Sequence, residues 1–139
     1  MPKLSEALVQ VEVGYAVSAG GRGLAYASLS SAPHNLVFRL PFRIAQLCSP
    51  IERAAGYAAL VTVARSLCKR GVKRARFVLP DGQLVDELSA RRQLPYGLTL
   101  PYVSVRCALN ALERFEIRFG ETDELMQRAR AEVALNLAA

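Results

Sequence analysis

Residues 8–18, LVQVEVGYAVS, alternate without a break. Val9, Val11, Val13, Tyr15 and Val17 fall on one side of an extended chain, and Gln10, Glu12 and Gly14 on the other. Only the two-residue period of a β-strand separates side chains in that way. A buried face then fixes the register, because a slip of one residue would turn every valine to solvent. A glycine-rich turn over residues 19–23 leads into a second strand over residues 24–30. After Ser31, Ala32, Pro33, His34 and Asn35 comes LVFRLPF, with Leu36, Phe38, Leu40 and Phe42 on one face. Connections this short favour antiparallel neighbours, so the chain opens with a three-stranded meander. Pro41 has no N–H to give to a ladder, which places the third strand at an edge or Pro41 near a strand end.

The pattern then changes period. Ser49, Pro50, Ile51 and Glu52 have the form of a helix start, with serine as cap, proline at the first helical position and glutamate three residues after the cap. The helix predicted from there runs to Arg70 and stops at Gly71. Its apolar side chains, Tyr57, Leu60, Val61, Val63, Ala64, Leu67 and Cys68, cover more than half of its circumference, and Thr62, Arg65, Ser66 and Lys69 form a narrow polar face. Such a helix packs broadly on a sheet. RARFVL, residues 74–79, reads as a fourth strand, punctuated by Pro80, Asp81 and Gly82 and followed by a short helix to about Ala90. A loop over residues 91–97 precedes a helix over 99–113, with Tyr102, Val105, Leu109 and Leu112 on one stripe. RFEIRF, residues 114–119, alternates strictly, and a last helix over 121–137 turns Leu125, Ala129 and Val133 inward. No repeat or linker interrupts the order β-β-β-α-β-α-α-β-α, so residues 1–139 are expected to form one α/β domain with a five-stranded mixed sheet flanked by helices.

At 139 residues, with 52% hydrophobic and 22% charged side chains, the chain is expected to bury a core without disulfide or metal staples. Cys48, Cys68 and Cys107 are an odd number without metal-ligand spacing. They are expected to be reduced, buried thiols in a cytoplasmic protein. No apolar run reaches membrane-spanning length and no export signal opens the chain, so neither a membrane nor a secreted setting is expected. The net charge of +6 favours polyanionic partners, since each phosphate neutralised releases counterions.

This order of elements, on a chain of this length, resembles that of the type I ribonuclease H domain. The middle of the chain carries the likeness further. Ala55-Gly56-Tyr57-Ala58-Ala59-Leu60-Val61, then Gly71, then Asp81-Gly82-Gln83-Leu84-Val85 is similar to the stretch "AEY-x-AL-I … G … DS-x-LVV-x-x-L" of the compact, reverse-transcriptase-like members. The resemblance implies a ribonuclease H-like fold and hydrolysis of the RNA strand of an RNA–DNA hybrid by two Mg²⁺ or Mn²⁺ ions about 4 Å apart. Four carboxylates would hold them, from the first strand, the long helix, the end of the fourth strand and the last helix.

Taken position by position, the acid set is incomplete. With the glycine turns aligned, the first acid falls on Glu12, which reads equally as a metal ligand and as the polar face of a half-exposed strand. The second falls on Gly56, which offers no ligand, while Glu52, one turn earlier, is a possible substitute already explained as part of a helix cap. The third falls on Asp81, a ligand by position or an N-cap by local pattern. The fourth falls on Gln127, Arg128 or Ala129, none of them acidic, although Asp123 and Glu124 stand nearby in a first helical turn. The family's histidine aligns with Phe119, and His34 has no assigned role. Glu12 and Asp81 alone carry half the negative charge that two divalent ions require, so bound metal is expected to be weak or absent.

Lys69, Arg70, Lys73, Arg74 and Arg76 put five cations in eight residues, and Arg91 and Arg92 add two in a loop near Tyr96. Lys73, Arg74, Arg76, Arg91 and Arg92 are the candidate phosphate contacts. The leading expectation is a catalytically impaired ribonuclease H-like domain that binds an RNA–DNA hybrid or duplex. The alternatives are an active nuclease with acids relocated to Glu12, Glu52, Asp81 and Asp123 or Glu124, and a protein-interaction or homodimerisation module using the sheet edge at RFEIRF.

Overall fold

Strand β1 (Val9–Val17) lies at the centre of the sheet because it is buried on both sides. Val11, Val13 and Tyr15 are buried on one face, and Gly14 is buried on the other. The computed structural model describes residues 8–31, 34–44, 51–89, 93–94 and 96–138. β1 pairs antiparallel with β2 (Arg22–Ser31), which pairs antiparallel with β3 (His34–Arg43), giving the expected meander. On its other side β1 runs parallel to β4 (Arg74–Leu79), and β4 runs parallel to β5 (Arg114–Phe119). The sheet order is β3-β2-β1-β4-β5, so Pro41 sits in an edge strand, where its missing N–H costs no central ladder bond.

Helix α1 (Ile51–Lys69) covers one face of the sheet and buries Tyr57, Leu60, Val63, Ala64 and Leu67 against Val11, Val13 and Phe77. It ends at Gly71, whose φ of 84° is the left-handed conformation of a helix stop; the Val72 N–H donates to Leu67 O at 3.0 Å. Helices α2 (Gly82–Leu88) and α3 (Thr99–Asn110) complete this layer. Helix α4 (Asp123–Ala138) packs on the opposite face, over β1 and β2. The faces of β4 and β5 on that side carry no helix among the described residues.

Several expected boundaries move. The helix predicted to reach Glu113 ends at Asn110, because Leu112 turns into the core and the Glu113 N–H donates to Lys73 O at 2.8 Å, beginning the sheet. The short helix ends at Leu88, not near Ala90, and the predicted loop at 91–97 holds the start of a 3₁₀ turn, Tyr96–Leu98. The Ser49–Pro50 cap, Cys48, Arg91 and Arg92 lie outside the described residues. Cys68 is half-buried but Cys107 is exposed, against the expectation of buried thiols, since it falls off the stripe by which α3 meets the core. No helix among the described residues is long and apolar enough to cross a membrane.

Candidate functional site

β1 and β4 run in parallel with Glu12 opposite Val78, so three residues further along both chains Tyr15 comes to lie beside Asp81. Here the β4 backbone leaves the sheet and opens a cleft of about 750 Å³. Glu52, Arg53, Ala55, Asp81, Gln83, Asp86 and Arg130 line it, with Phe119 and Met126.

Asp81 is the N-cap of α2: its Oδ1 accepts from the Gln83 and Leu84 N–H groups at 3.0 and 3.3 Å. Its Oδ2 accepts from Arg53 Nε at 2.7 Å. Arg53 stands in the first turn of α1 and is buried. Its Nη1 donates to Glu87 Oε2 at 2.6 Å, and its Nη2 donates to Gln83 Oε1. Glu87 is 2% exposed, and its second oxygen accepts from the Tyr57 hydroxyl at 2.7 Å. One planar guanidinium thus joins both ends of α2 to α1, using the fixed fork that suits arginine to two carboxylates at once.

Tyr15 fills the space beside Gly56. A Cβ on Gly56 would lie 2.9 Å from the Tyr15 hydroxyl and 2.8 Å from Leu84 Cδ2. The glycine is required by that close approach, which explains a residue otherwise unfavourable in a helix interior. Burial, and then the charge of Asp81, pushes the Tyr15 phenol above its ordinary range. Burial, and then the bond to Glu87, does the same for Tyr57. Both phenols therefore hold protons in the folded chain at pH values where the unfolded chain has released them. Stability is fully present below the ordinary value of 10.0 and falls as the pH rises above it. Tyr57→Phe, which also takes a hydroxyl from the buried Glu87, should be less stable at neutral pH but lose less stability above pH 10, as urea unfolding followed by circular dichroism at several pH values would measure.

The expected acids divide between the two faces of the sheet. Glu52 and Asp81 share the cleft. Glu12 has the parity of Gly14, not of Tyr15, so it points to the α4 side, where it lines a groove with Glu121, Asp123 and Glu124. The alignment that gave Glu12 the place of the first acid is corrected here: Tyr15 is the β1 side chain that faces Asp81. On α4, Ala129 is buried against Leu24 and Tyr26, Arg128 stacks on the Tyr26 ring at 4.8 Å and Gln127 is exposed. The residues α4 does turn to the cleft are Met126, whose Sδ accepts from the Tyr15 N–H at 3.2 Å, and the cation Arg130. No group of three His, Cys, Asp or Glu side chains among the described residues is placed to hold a metal ion. Both Asp81 oxygens are engaged, a hydroxyl fills the space at Gly56 and a guanidinium holds the centre, so these residues do not fit a pair of divalent ions.

The cations predicted on β4 form a surface larger than expected. Arg74 meets Glu113 at 3.1 Å and Arg76 meets Glu116 at 3.4 Å, with Lys73 3.7 Å from Glu113. β5 adds Arg114 and Arg118, at 3.9 and 3.2 Å from the same Glu116. The Arg118 bond, and then that of Arg76, holds the Glu116 carboxyl below the usual range. Register places Arg74 beside Arg114 and Arg76 beside Glu116, on the sheet face that α4 leaves open. The parity of RFEIRF already put Arg114 and Arg118 together; their meeting with β4 depends on strand order.

No protein-family model and no curated protein matches the sequence. Solved structures do match. RNase H1 from the halophilic archaeon Halobacterium salinarum superposes with a TM-score of 0.74 at 16% identity, over 94% of this chain and 99% of that one. LC11-RNase H1, solved in complex with an RNA/DNA hybrid, gives 0.71 at 9% identity over 94% and 99%. The N-terminal RNase H domain of a Mycobacterium tuberculosis protein gives 0.68 at 16% identity over 88% and 95%. With the strand order and the helix layers above, this agreement shows that the chain has the fold of a ribonuclease H-like domain.

Proposed function

We propose that this domain binds an RNA–DNA hybrid or a related duplex through the open face of β4 and β5, without hydrolysing it. The observation that carries the reading is the charge of that face. Among the described residues, the ion pairs of Lys73, Arg74, Arg76, Arg114 and Arg118 gather five cations about two carboxylates, Glu113 and Glu116, while Glu12 on β1 borders the face on the α4 side. Lys73, Arg114 and Arg118 are also well exposed. Phosphate contacts of this kind position a duplex without reading its sequence. The hybrid held by LC11-RNase H1 supports the choice of ligand. The absence of hydrolysis is supported by Arg53, which occupies Asp81, and by Tyr15 and Gly56, which bring no carboxylate to the cleft.

The test is fluorescence anisotropy with a labelled hybrid at several salt concentrations. Neutralising roughly three to five phosphates predicts an affinity loss of about a hundredfold between 50 and 200 mM salt. Arg114→Gln with Arg118→Gln should weaken binding about tenfold or more, whereas Arg65→Gln, beyond the opposite face, should change it less than twofold. Salt-independent affinity would overturn the proposal. Cleavage of the hybrid in Mg²⁺ or Mn²⁺ that disappears in Asp81→Asn would instead establish an active nuclease.

A further inference from the structure

β5 is an edge strand, and its hydrogen bonding specifies what can be added to it. Arg114 N–H donates to Lys73 O at 3.3 Å and Gly120 N–H to Leu79 O at 3.0 Å, so the even-numbered residues face β4. Strand alternation directs the N–H and C=O groups of Phe115, Ile117 and Phe119 to the open edge. A second copy of β5 arriving antiparallel must therefore oppose odd residues with odd ones, and side-chain charge selects among the registers that remain.

Centred on Glu116, the pairing sets Arg114 against Arg118 and Glu116 against itself. Centred on Arg118, it opposes two arginines. Both are unfavourable. Centred on Phe115, it sets Arg114 against Glu116 twice but pairs only Arg114 to Glu116, leaving Ile117, Arg118 and Phe119 without strand partners. Centred on Ile117, it pairs five of the six strand residues, Phe115 to Phe119, opposes Phe115 with Phe119 and sets Glu116 against Arg118 twice. We infer that two copies of this chain associate through β5 in the Ile117-centred register, forming one continuous sheet.

The dyad of such a pair is perpendicular to the sheet, so both cationic faces lie on the same side. The four central strands, β4 and β5 from each copy, become one basic floor. The two α4 helices, which stand on this side over β1 and β2, become its walls. With strands about 4.8 Å apart and helices about 10–12 Å wide, the walls of a flat sheet would stand roughly 18 Å apart. That is the scale of a nucleic-acid double helix. Two faces of like charge repel, so a polyanion on the floor should favour the dimer, and by linkage the dimer should bind it more tightly. This coupling rests on the proposed function; the edge pairing does not.

Sedimentation velocity on the full chain, alone and with an RNA–DNA hybrid of two helical turns, tests both parts. The chain should form a dimer as its concentration rises, and the hybrid should lower the dimer dissociation constant at least tenfold. Arg118→Glu places carboxylates opposite Glu116 and should abolish the dimer; Glu116→Arg with Arg118→Glu exchanges the charges and should restore it. Ile117→Pro removes an outward N–H that no β4 carbonyl accepts, and should remove the dimer while the monomer still melts cooperatively. A wild-type chain that stays monomeric at every concentration, with hybrid and without, overturns the inference, as does a double exchange that fails to restore association. A monomer that binds the hybrid sinks the dimer alone. A dimer that ignores the hybrid sinks the proposed function and leaves the edge pairing standing.

Discussion

Replacing Arg53 with alanine is expected to destabilise the domain by about 3–5 kcal/mol, the usual cost of removing one partner from a buried ion pair. The size follows from what remains. Glu87 is 2% exposed and loses the guanidinium that meets it at 2.6 Å, keeping only the Tyr57 hydroxyl. Asp81 and Gln83 lose their bonds to the same group, so α2 is released from α1 at both ends. On a chain of this length the loss corresponds to a fall in melting temperature on the order of 10–15 °C. The pair itself need not add stability over an apolar equivalent, because desolvation offsets much of its attraction. Arg53→Met with Glu87→Gln should therefore recover more than half of the loss, since glutamine still accepts from Tyr57. Urea unfolding at neutral pH, followed by circular dichroism, measures all three proteins. A single-variant loss below about 1 kcal/mol would mean that water reaches Glu87, and the buried network would not describe this cleft.

That network also marks where the sequence stops being legible. The meander, the long helix and both later strands follow from periods of two and 3.6 in the chain itself, because burying one face of an element is a local property of its pattern. The partners of Arg53 lie 28 to 34 residues away, on a helix that local pattern places but cannot orient. The one available signal was the spacing of Arg53 and Tyr57, four apart and so on one helix face. Glu12 shows the opposite case. Its parity with Gly14 was readable and already set it against Val13 and Tyr15, but aligning glycine turns ignored parity, and in a strand an odd shift exchanges the faces. Asp81 offered two readings, cap and ligand. Its cap bonds to Gln83 and Leu84 are formed, and the arginine takes the oxygen a metal would need. The β4–β5 surface was half legible: alternation gave each strand its cationic side, and only the order of strands brought the two sides together.

Gly14 leads to the second large effect, for a reason the alternation of β1 could not supply. A Cβ at this position would lie 2.4 Å from Leu125 Cβ, 2.5 Å from Leu125 C and 2.6 Å from Met126 N. Two of these atoms are helix backbone, which has no rotamer with which to move aside. Gly14→Ala must therefore lift the start of α4 from the sheet. The Thr122 hydroxyl donates to Val13 O at 2.9 Å, and the Tyr15 N–H donates to Met126 Sδ at 3.2 Å, so two bonds that fasten the start of α4 flank the same point. Alanine would otherwise gain about 0.5–1 kcal/mol over glycine within a strand. The crowding should outweigh this and give a net loss of roughly 2–3 kcal/mol, toward the upper part of the range for overpacked cores. Gly20→Ala is the matched control: its Cβ would meet nothing nearer than Ser18 Oγ at 3.9 Å, so stability should stay within about 0.5 kcal/mol. Hydrogen exchange localises the effect, with amide protection in Gly14→Ala falling first over residues 123–138 and persisting in α1. Equal stability of the two alanine variants would mean that α4 does not sit this close to β1. The open face of β4 and β5 would then lose the helix that bounds it.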